Sequence, residues 1–184
     1  MIENIHRRVL RGSAEHAGAL LDTLAGPDDR LWPSQSWPPM RFDRPLGPGA
    51  RGGHGPIRYE VTEYRPGALV RCRFVPPTGV VGGHELSVIP VDAHRVEVRH
   101  RLTGTPTGAM RLGWPLAFRW LHDALIEDLL DNAERELTGA VARPATWSPY
   151  VRQLRALGRR RARRAAPDTA NTPGRANTAG TAGR

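Results

Sequence analysis

The chain has 184 residues and a formal charge of +9, and its 27 basic residues are all arginine. A chain without lysine forms no Schiff base with a carbonyl substrate or pyridoxal phosphate, and it lacks the lysine of a phosphate-binding P-loop. The single cysteine, Cys72, excludes an internal disulfide and a cysteine-rich zinc site. The length suits one domain with an appendage.

The charge is unevenly distributed. Residues 1–150 contain 18 arginines and 17 acidic residues, whereas residues 151–184 contain nine arginines and one acid. We therefore predict a folded domain over 1–140, a linker with a short basic helix over 141–165, and a disordered tail over 166–184. The tail has no large apolar side chain that could offset its ordering entropy.

No apolar stretch is long enough for a signal peptide or a transmembrane helix, so we expect a cytoplasmic protein.

The first third of the chain predicts mixed structure. Ile2–Leu10 is a plausible strand, and Ser13 is a suitable N-cap for a helix over Ala14–Leu24. A second, short helical turn is expected at Pro27–Trp32. Met40–Leu46 is a further strand candidate.

Four clearer strands follow, over Ile57–Tyr64, Leu69–Val75, His84–Pro90 and Arg95–Leu102. Apolar and charged residues alternate along each of them, which is typical of an antiparallel sheet with one wet face. The connections are short enough for hairpins. The alternation places on the inner face Tyr59, Val61, Cys72, Phe74, His84, Leu86, Val88, Val98 and His100.

A long amphipathic helix is predicted from Pro115 to about Thr138, with Gly139 just past its end. Its apolar stripe consists of Trp114, Phe118, Leu121, Leu125, Leu129 and Ala133. Four carboxylates lie away from that stripe, namely Asp123, Glu127, Asp131 and Glu134. The apolar face should therefore pack on the sheet.

Two local sequences are informative: GHGPIRY from Gly53 to Tyr59 and YRPG from Tyr64 to Gly67. Together with the order of elements, they resemble the START/Bet v 1-like superfamily, often labelled polyketide cyclase/dehydrase and lipid transport. The resemblance covers about residues 2–138. It implies an α+β helix-grip fold, in which a curved antiparallel sheet of about six to seven strands wraps around a long C-terminal helix. It also implies a cavity between sheet and helix that holds a small apolar molecule or lipid.

The superfamily has no universal catalytic motif, so the resemblance assigns no catalytic residue, and we expect no cofactor. We expect the ligand to contact thirteen residues, namely Tyr59, Val61, Cys72, Phe74, Leu86, Val88, Val98, His100, Trp114, Phe118, Leu121, His122 and Leu125. A binding protein is favoured over an enzyme. The alternative is a cyclase or dehydratase for a polyketide-like or aromatic substrate, with His100, His122 and Tyr59 as acid/base candidates.

Other motifs are better explained by structural roles than by functional ones. Residues 47–52 fit GxGxxG, but a strand follows them rather than a helix, which favours a glycine-rich loop that could serve as a lid over the cavity mouth. No spacing rule brings His84, His100 and His122 together, so we predict no metal site. Cys72 is interpreted as a small core residue. The segment with Trp32, Trp37 and Met40 forms either part of a cavity entrance or a loop pinned onto the sheet.

The basic segment leaves three interpretations open. It binds nucleic acid through phosphates, it lies on an anionic membrane, or it is a solvated extension. The first two would use Arg152, Arg155, Arg159, Arg160, Arg161, Arg163 and Arg164. A third functional alternative follows, a protein-interaction module whose partner is held by the basic tail.

Overall fold

The structure is a computed structural model that describes residues 1–165, with side chains through residue 161. The predicted disordered tail, 166–184, and the side chains of Arg163 and Arg164 lie outside the described residues. Seven strands form one antiparallel sheet in the order β1-β7-β6-β5-β4-β3-β2. They are β1 (Ile2–Arg11), β2 (Arg41–Phe42), β3 (Arg51–His54), β4 (Ile57–Arg65), β5 (Leu69–Phe74), β6 (Val80–Asp92) and β7 (Arg95–Pro106).

The described part of the chain also contains four α-helices and one π-helical segment: α1 (Ala14–Asp22), α2 (Met110–Gly113), the π segment (Trp114–Phe118), α3 (Arg119–Thr138) and α4 (Pro149–Ala165). The α2, π and α3 segments run without a break and form the long helix. The predicted α+β helix-grip fold is confirmed. Among the described helices, none has the length and apolar character needed to cross a bilayer.

Helix α1 begins as predicted, because the Ser13 hydroxyl accepts the His16 backbone N–H at 3.1 Å. It ends at Asp22, earlier than expected. The Asp22 carboxylate accepts the Gly67 N–H at 2.8 Å and the Tyr64 hydroxyl at 2.9 Å, which ties the helix end to the β4–β5 turn. A Cβ on Gly18 would lie 2.5 Å from the Gly67 carbonyl oxygen, so this close approach requires glycine.

Two predictions in the N-terminal third were wrong. No helical turn forms at residues 27–32, because the Asp29 carboxylate accepts the backbone N–H groups of Ala25, Leu31 and Trp32 and holds the segment in turns. The strand expected at Met40–Leu46 contracts to β2. Part of the glycine-rich loop instead becomes β3, since glycine without a side chain can still pair in a ladder.

The long helix starts at Met110, earlier than the predicted Pro115. Proline has no N–H to donate, and the helix widens around it. In this π segment the Arg119 N–H donates to the Trp114 carbonyl, five residues earlier. The helix ends at Gly139, which adopts a left-handed φ of 81° as its C-cap.

Candidate functional site

A cavity of about 660 Å³ lies between the sheet and the long helix. Most of its wall is apolar, and side chains from β4, β5, β6, β7, the π segment and α3 contribute to it. Ten of the thirteen predicted ligand-contacting residues line it: Tyr59, Cys72, Phe74, Leu86, His100, Trp114, Phe118, Leu121, His122 and Leu125.

Three predicted contacts, Val61, Val88 and Val98, do not line the cavity. Each is buried in the hydrophobic core that also includes Leu20 and Leu21 of α1. The alternation along a strand identifies the inward face. The alternation does not show where along a strand the inward side chains pack against α1 instead of lining the cavity.

The cavity wall includes a segment whose role the sequence left open. Trp32, Trp37, Met40 and Phe42 all face the cavity, and the first three are buried. This segment is thus both pinned against the domain and part of the cavity wall. Its run of tryptophans and prolines was the only sequence signal for it.

Histidines form a continuous row along the cavity wall. Ring centroids lie 5.3 Å apart between His84 and His100 and 5.0 Å apart between His100 and His122. Tyr59 stands 4.8 Å from His84 and 6.1 Å from His54. We call His54, His84, His100 and His122 the histidine row. The sequence placed the last three on inward faces, but no spacing rule showed that they would meet, and His54 was not predicted.

The strand register explains the row. His84 on β6 pairs with Leu102 of β7, and His100 pairs with Leu86, so the two histidines are diagonal neighbours on one face. Nε2 of His100 lies 3.3 Å from Nδ1 of His84. His122 of α3 packs against the same face of the sheet, with its ring centroid 5.0 Å from that of His100.

Burial keeps these imidazoles neutral. It lowers the pKa of His54 to about 4 and that of His84 to about 3, with repulsion from His122 as a further cause. Burial also lowers the pKa of His100 well below the usual value, and it lowers the pKa of His122. At neutral pH the row is a set of hydrogen-bonding groups without charge.

Three buried polar atoms of residues that line the cavity have no hydrogen-bond partner among the described residues: the Tyr59 hydroxyl, Nδ1 of His100 and Nδ1 of His122, the last of which lies 3.8 Å from the Asp123 carboxylate. Burial raises the pKa of Tyr59 well above its usual value, so the hydroxyl stays protonated. A buried polar atom without a partner is costly. These atoms are therefore positions where a bound molecule would gain hydrogen bonds.

The polar side of α3 packs on β1 through ion pairs. Nδ1 of His6 lies 2.7 Å from Glu127, and Nε2 lies 3.1 Å from Asp123. Arg8 donates to Asp131, Glu134 and Glu127 at 2.7 to 3.0 Å. The carboxylates predicted to lie away from the apolar stripe thus join a second interface.

His6 is a cationic imidazole that lies beside the histidine row. Burial by itself would lower its pKa, but the carboxylates of Asp123 and Glu127 outweigh burial and raise the pKa to about 9. Its ring centroid is 6.0 Å from that of His122. A charged imidazolium therefore lies next to the neutral histidine row.

His6, His122 and Asp123 place one ligand atom each within 4.8 Å of one another, a spacing that a metal ion could bridge after small movements. Both ring nitrogens of His6 are already bonded to carboxylates. A metal would have to displace the His6 proton. The absence of a metal site stays a prediction.

Helix α4 covers part of the cavity, and we call it the lid helix. Its residues Leu154, Arg155, Gly158 and Arg159 line the cavity. Val151 is buried, and the Tyr150 hydroxyl donates to the Leu116 carbonyl. The segment predicted as a linker and short basic helix therefore contributes to the cavity wall, which composition could not indicate.

Arg155 anchors the lid helix between two indole rings, in what we call the Arg155 clamp. Its guanidinium carbon lies 4.0 Å from the ring centroid of Trp37 and 3.9 Å from that of Trp147. Both indole N–H groups donate to Asp128, at 2.7 Å from Trp37 and 3.0 Å from Trp147. Stacking on two faces holds this partly buried arginine, which forms no ion pair with an acidic residue in the described part of the chain.

Solved structures with the same fold come from several organisms. A solution structure from Thermobifida fusca is 17% identical over 80% of this chain and all of that chain, with a TM-score of 0.57. A protein from Nitrosospira multiformis is 12% identical, covers 74% of this chain and 97% of its own, and has a TM-score of 0.56.

A truncated norcoclaurine synthase from Thalictrum flavum is 12% identical over 73% of this chain and 92% of its own length, with a TM-score of 0.53. At these identities the similarity shows the fold. No family model matches the sequence, and the comparison with curated proteins gives no match.

Proposed function

We propose that the protein binds a small apolar molecule or lipid in the cavity between the sheet and the long helix. The observation that carries this proposal is the cavity itself, which measures about 660 Å³ and has a mostly apolar wall. Ligand sites typically span about 300–1,000 Å³ and combine apolar walls with a few polar groups. The resemblance to the START/Bet v 1-like superfamily supports the same function.

The polar wall narrows the chemistry of the ligand. The Tyr59 hydroxyl, Nδ1 of His100 and Nδ1 of His122 are buried and unpartnered. A ligand with a carbonyl or hydroxyl group at one end would satisfy them. A ligand carboxylate is disfavoured, because the surrounding imidazoles carry no charge that would offset its desolvation.

Native mass spectrometry of the purified protein would test for a bound apolar molecule. A matched pair of variants would locate it. Val70 lies buried on the cavity wall, whereas Val81 is 69% exposed. Val70→Phe should reduce binding of an apolar fluorescent dye at least tenfold, and Val81→Phe should not change it. Equal dye binding by all three proteins, with no co-purifying molecule, would overturn the proposal.

A second candidate function is acid/base catalysis in the same cavity, of the cyclase or dehydratase type. The adjacency of Tyr59, His84 and His100 favours it. Burial argues against it, because an imidazole with a pKa near 3, such as that of His84, is a weak base at neutral pH. Binding therefore ranks first.

Proton exchange would distinguish the two functions. An apolar aromatic 1,3-diketone in deuterated water should exchange its acidic carbon-bound hydrogens faster with protein present if the cavity supplies a base. The combined variant His100→Gln, His122→Gln and Tyr59→Phe should abolish that acceleration, and His94→Gln, at an exposed position, should keep it. No acceleration by the wild-type protein would exclude this catalytic version and leave binding untouched.

A further inference from the structure

Five large apolar side chains are exposed on the two helical regions that border the cavity. We call this set the apolar rim, and each member is between 43% and 71% exposed: Leu112, Leu116, Trp120, Tyr150 and Leu157. The same regions supply cavity-lining residues, including Trp114, Phe118 and Leu154. Single exposed apolar residues are common, whereas a group of this kind marks an interaction surface.

The rim is contiguous at its centre. Leu112, Leu116 and Trp120 recur every four residues along the long helix. The Tyr150 hydroxyl donates to the Leu116 carbonyl, and the rings of Tyr150 and Trp120 lie 6.0 Å apart. Leu157 stands two turns further along the lid helix and extends the rim there.

Exposed arginines are frequent on the helices that carry the apolar rim. Arg111, Arg152, Arg159, Arg160 and Arg161 are all exposed and form no ion pair with any residue whose side chain is described. Arg119 contacts Asp123 at 3.7 Å. No acidic residue occurs between Glu97 and Asp123 or between Glu136 and Arg161. The segments that carry the rim, residues 110–122 and 149–161, therefore combine apolar side chains with positive charge.

We propose that this face docks on an anionic lipid bilayer. Leucines, a tryptophan and a tyrosine would enter the headgroup boundary, and the arginines would attract anionic headgroups. Nucleic acid is the weaker partner, because phosphate contacts use the arginines and leave Leu112, Leu116 and Leu157 exposed to water. The charge and the exposed leucines together fit a membrane.

Docking in this way would bring the lid helix to the bilayer surface, with Leu154 and Gly158 facing the cavity behind it. An apolar ligand could then pass between cavity and bilayer with little exposure to water. The docking itself does not depend on the proposed ligand. Loss of ligand binding in Val70→Phe would thus leave docking unchanged.

Co-sedimentation with vesicles tests the proposal. The full chain should pellet with vesicles of equimolar phosphatidylglycerol and phosphatidylcholine, and much less with phosphatidylcholine alone. The double variant Arg160→Gln and Arg161→Gln should weaken binding about 30-fold, as expected for about 1 kcal/mol per basic residue near an anionic surface. High salt should weaken wild-type binding in the same direction.

A matched pair of double variants tests how much the exposed leucines contribute to vesicle binding. Leu112→Ser with Leu116→Ser should weaken vesicle binding at least tenfold. Ile5→Ser with Val9→Ser removes two apolar residues of β1 that are 49% and 50% exposed elsewhere, and it should have no effect. Circular dichroism would establish that both variants are folded.

Three results would overturn the proposal. The first is equal sedimentation with and without phosphatidylglycerol. The second is tighter binding to duplex DNA than to vesicles, unaffected by the leucine variant, which would identify nucleic acid as the partner. The third is a stable dimer that the leucine variant dissociates, which would assign the face to a second copy of the chain.

Discussion

Nε2 of His100 lies 3.3 Å from Nδ1 of His84, and only one of these two nitrogens can carry the shared proton. If His100 donates, its Nδ1 becomes an acceptor. If His84 donates, Nδ1 of His100 becomes a donor. The tautomer of this pair therefore decides which polar group of a ligand the cavity accepts at that point.

Acid should destabilise the fold through its buried histidines. His54 and His84 have pKa values of about 4 and about 3 in the folded protein, below the unfolded value of about 6.5. Their contribution to stability is therefore present above about pH 6.5 and is lost as the pH falls towards those values. The free energy of unfolding, measured with urea, should fall by about 2–3 kcal/mol between pH 6 and pH 5.

A matched pair of variants tests whether buried histidines cause the slope of the unfolding free energy against pH. His84→Gln should reduce it by about 1.4 kcal/mol per pH unit, because one neutral buried imidazole is gone. His94→Gln, at an exposed turn, should leave the slope unchanged. An identical slope in both variants would contradict the assignment to the histidine row.

His6 should show the opposite dependence on pH. Its folded pKa of about 9 lies above the unfolded value of about 6.5, so its stabilisation is full below about pH 6.5 and is lost as the pH rises through 9. His6→Gln should cost about 2 kcal/mol at pH 6, discounted for partial exposure of Asp123 and Glu127. The same substitution should cost much less at pH 10. A cost that is equal at both pH values would contradict an imidazolium at His6.

Loss of the Arg155 clamp should release the lid helix. Arg155→Ala removes stacking on both Trp37 and Trp147, worth about 2 kcal/mol together. Trypsin should then cleave within α4 roughly 30-fold faster, because undocked helix is more often open. Arg160→Ala is the control, since it removes one tryptic site from the same helix but no contact in the clamp. Equal cleavage of both variants would argue that Arg155 does not hold the lid.

Cys72 offers a second measure of cavity access, because it is the only cysteine and lines the cavity. Burial raises the pKa of its thiol to about 12. Alkylation by iodoacetamide at neutral pH should therefore be about 10³-fold slower in the folded than in the unfolded protein. Arg155→Ala should accelerate it relative to Arg160→Ala. Rapid alkylation of the wild-type protein would contradict the burial of Cys72.

Much of the fold was predictable from local patterns. The Ser13 cap, the four alternating strands and the C-cap at Gly139 were read correctly, since each depends on neighbouring residues. Errors occurred where a side chain bonded nearby backbone groups in competition with a helix, as at Asp29, or where glycines form a strand without a hydrophobic pattern, as at β3.

The sequence by itself determined which side of each strand and helix faces inward, because side-chain direction follows from backbone period. Ten of the thirteen residues predicted to contact a ligand line the cavity. Only the tertiary structure decided which inward faces meet. The row of His84, His100 and His122 depends on strand register and on the position of α3, and the Arg155 clamp joins Trp37 to a helix more than one hundred residues later. Such contacts arise from packing between elements, which the period of any single element does not encode.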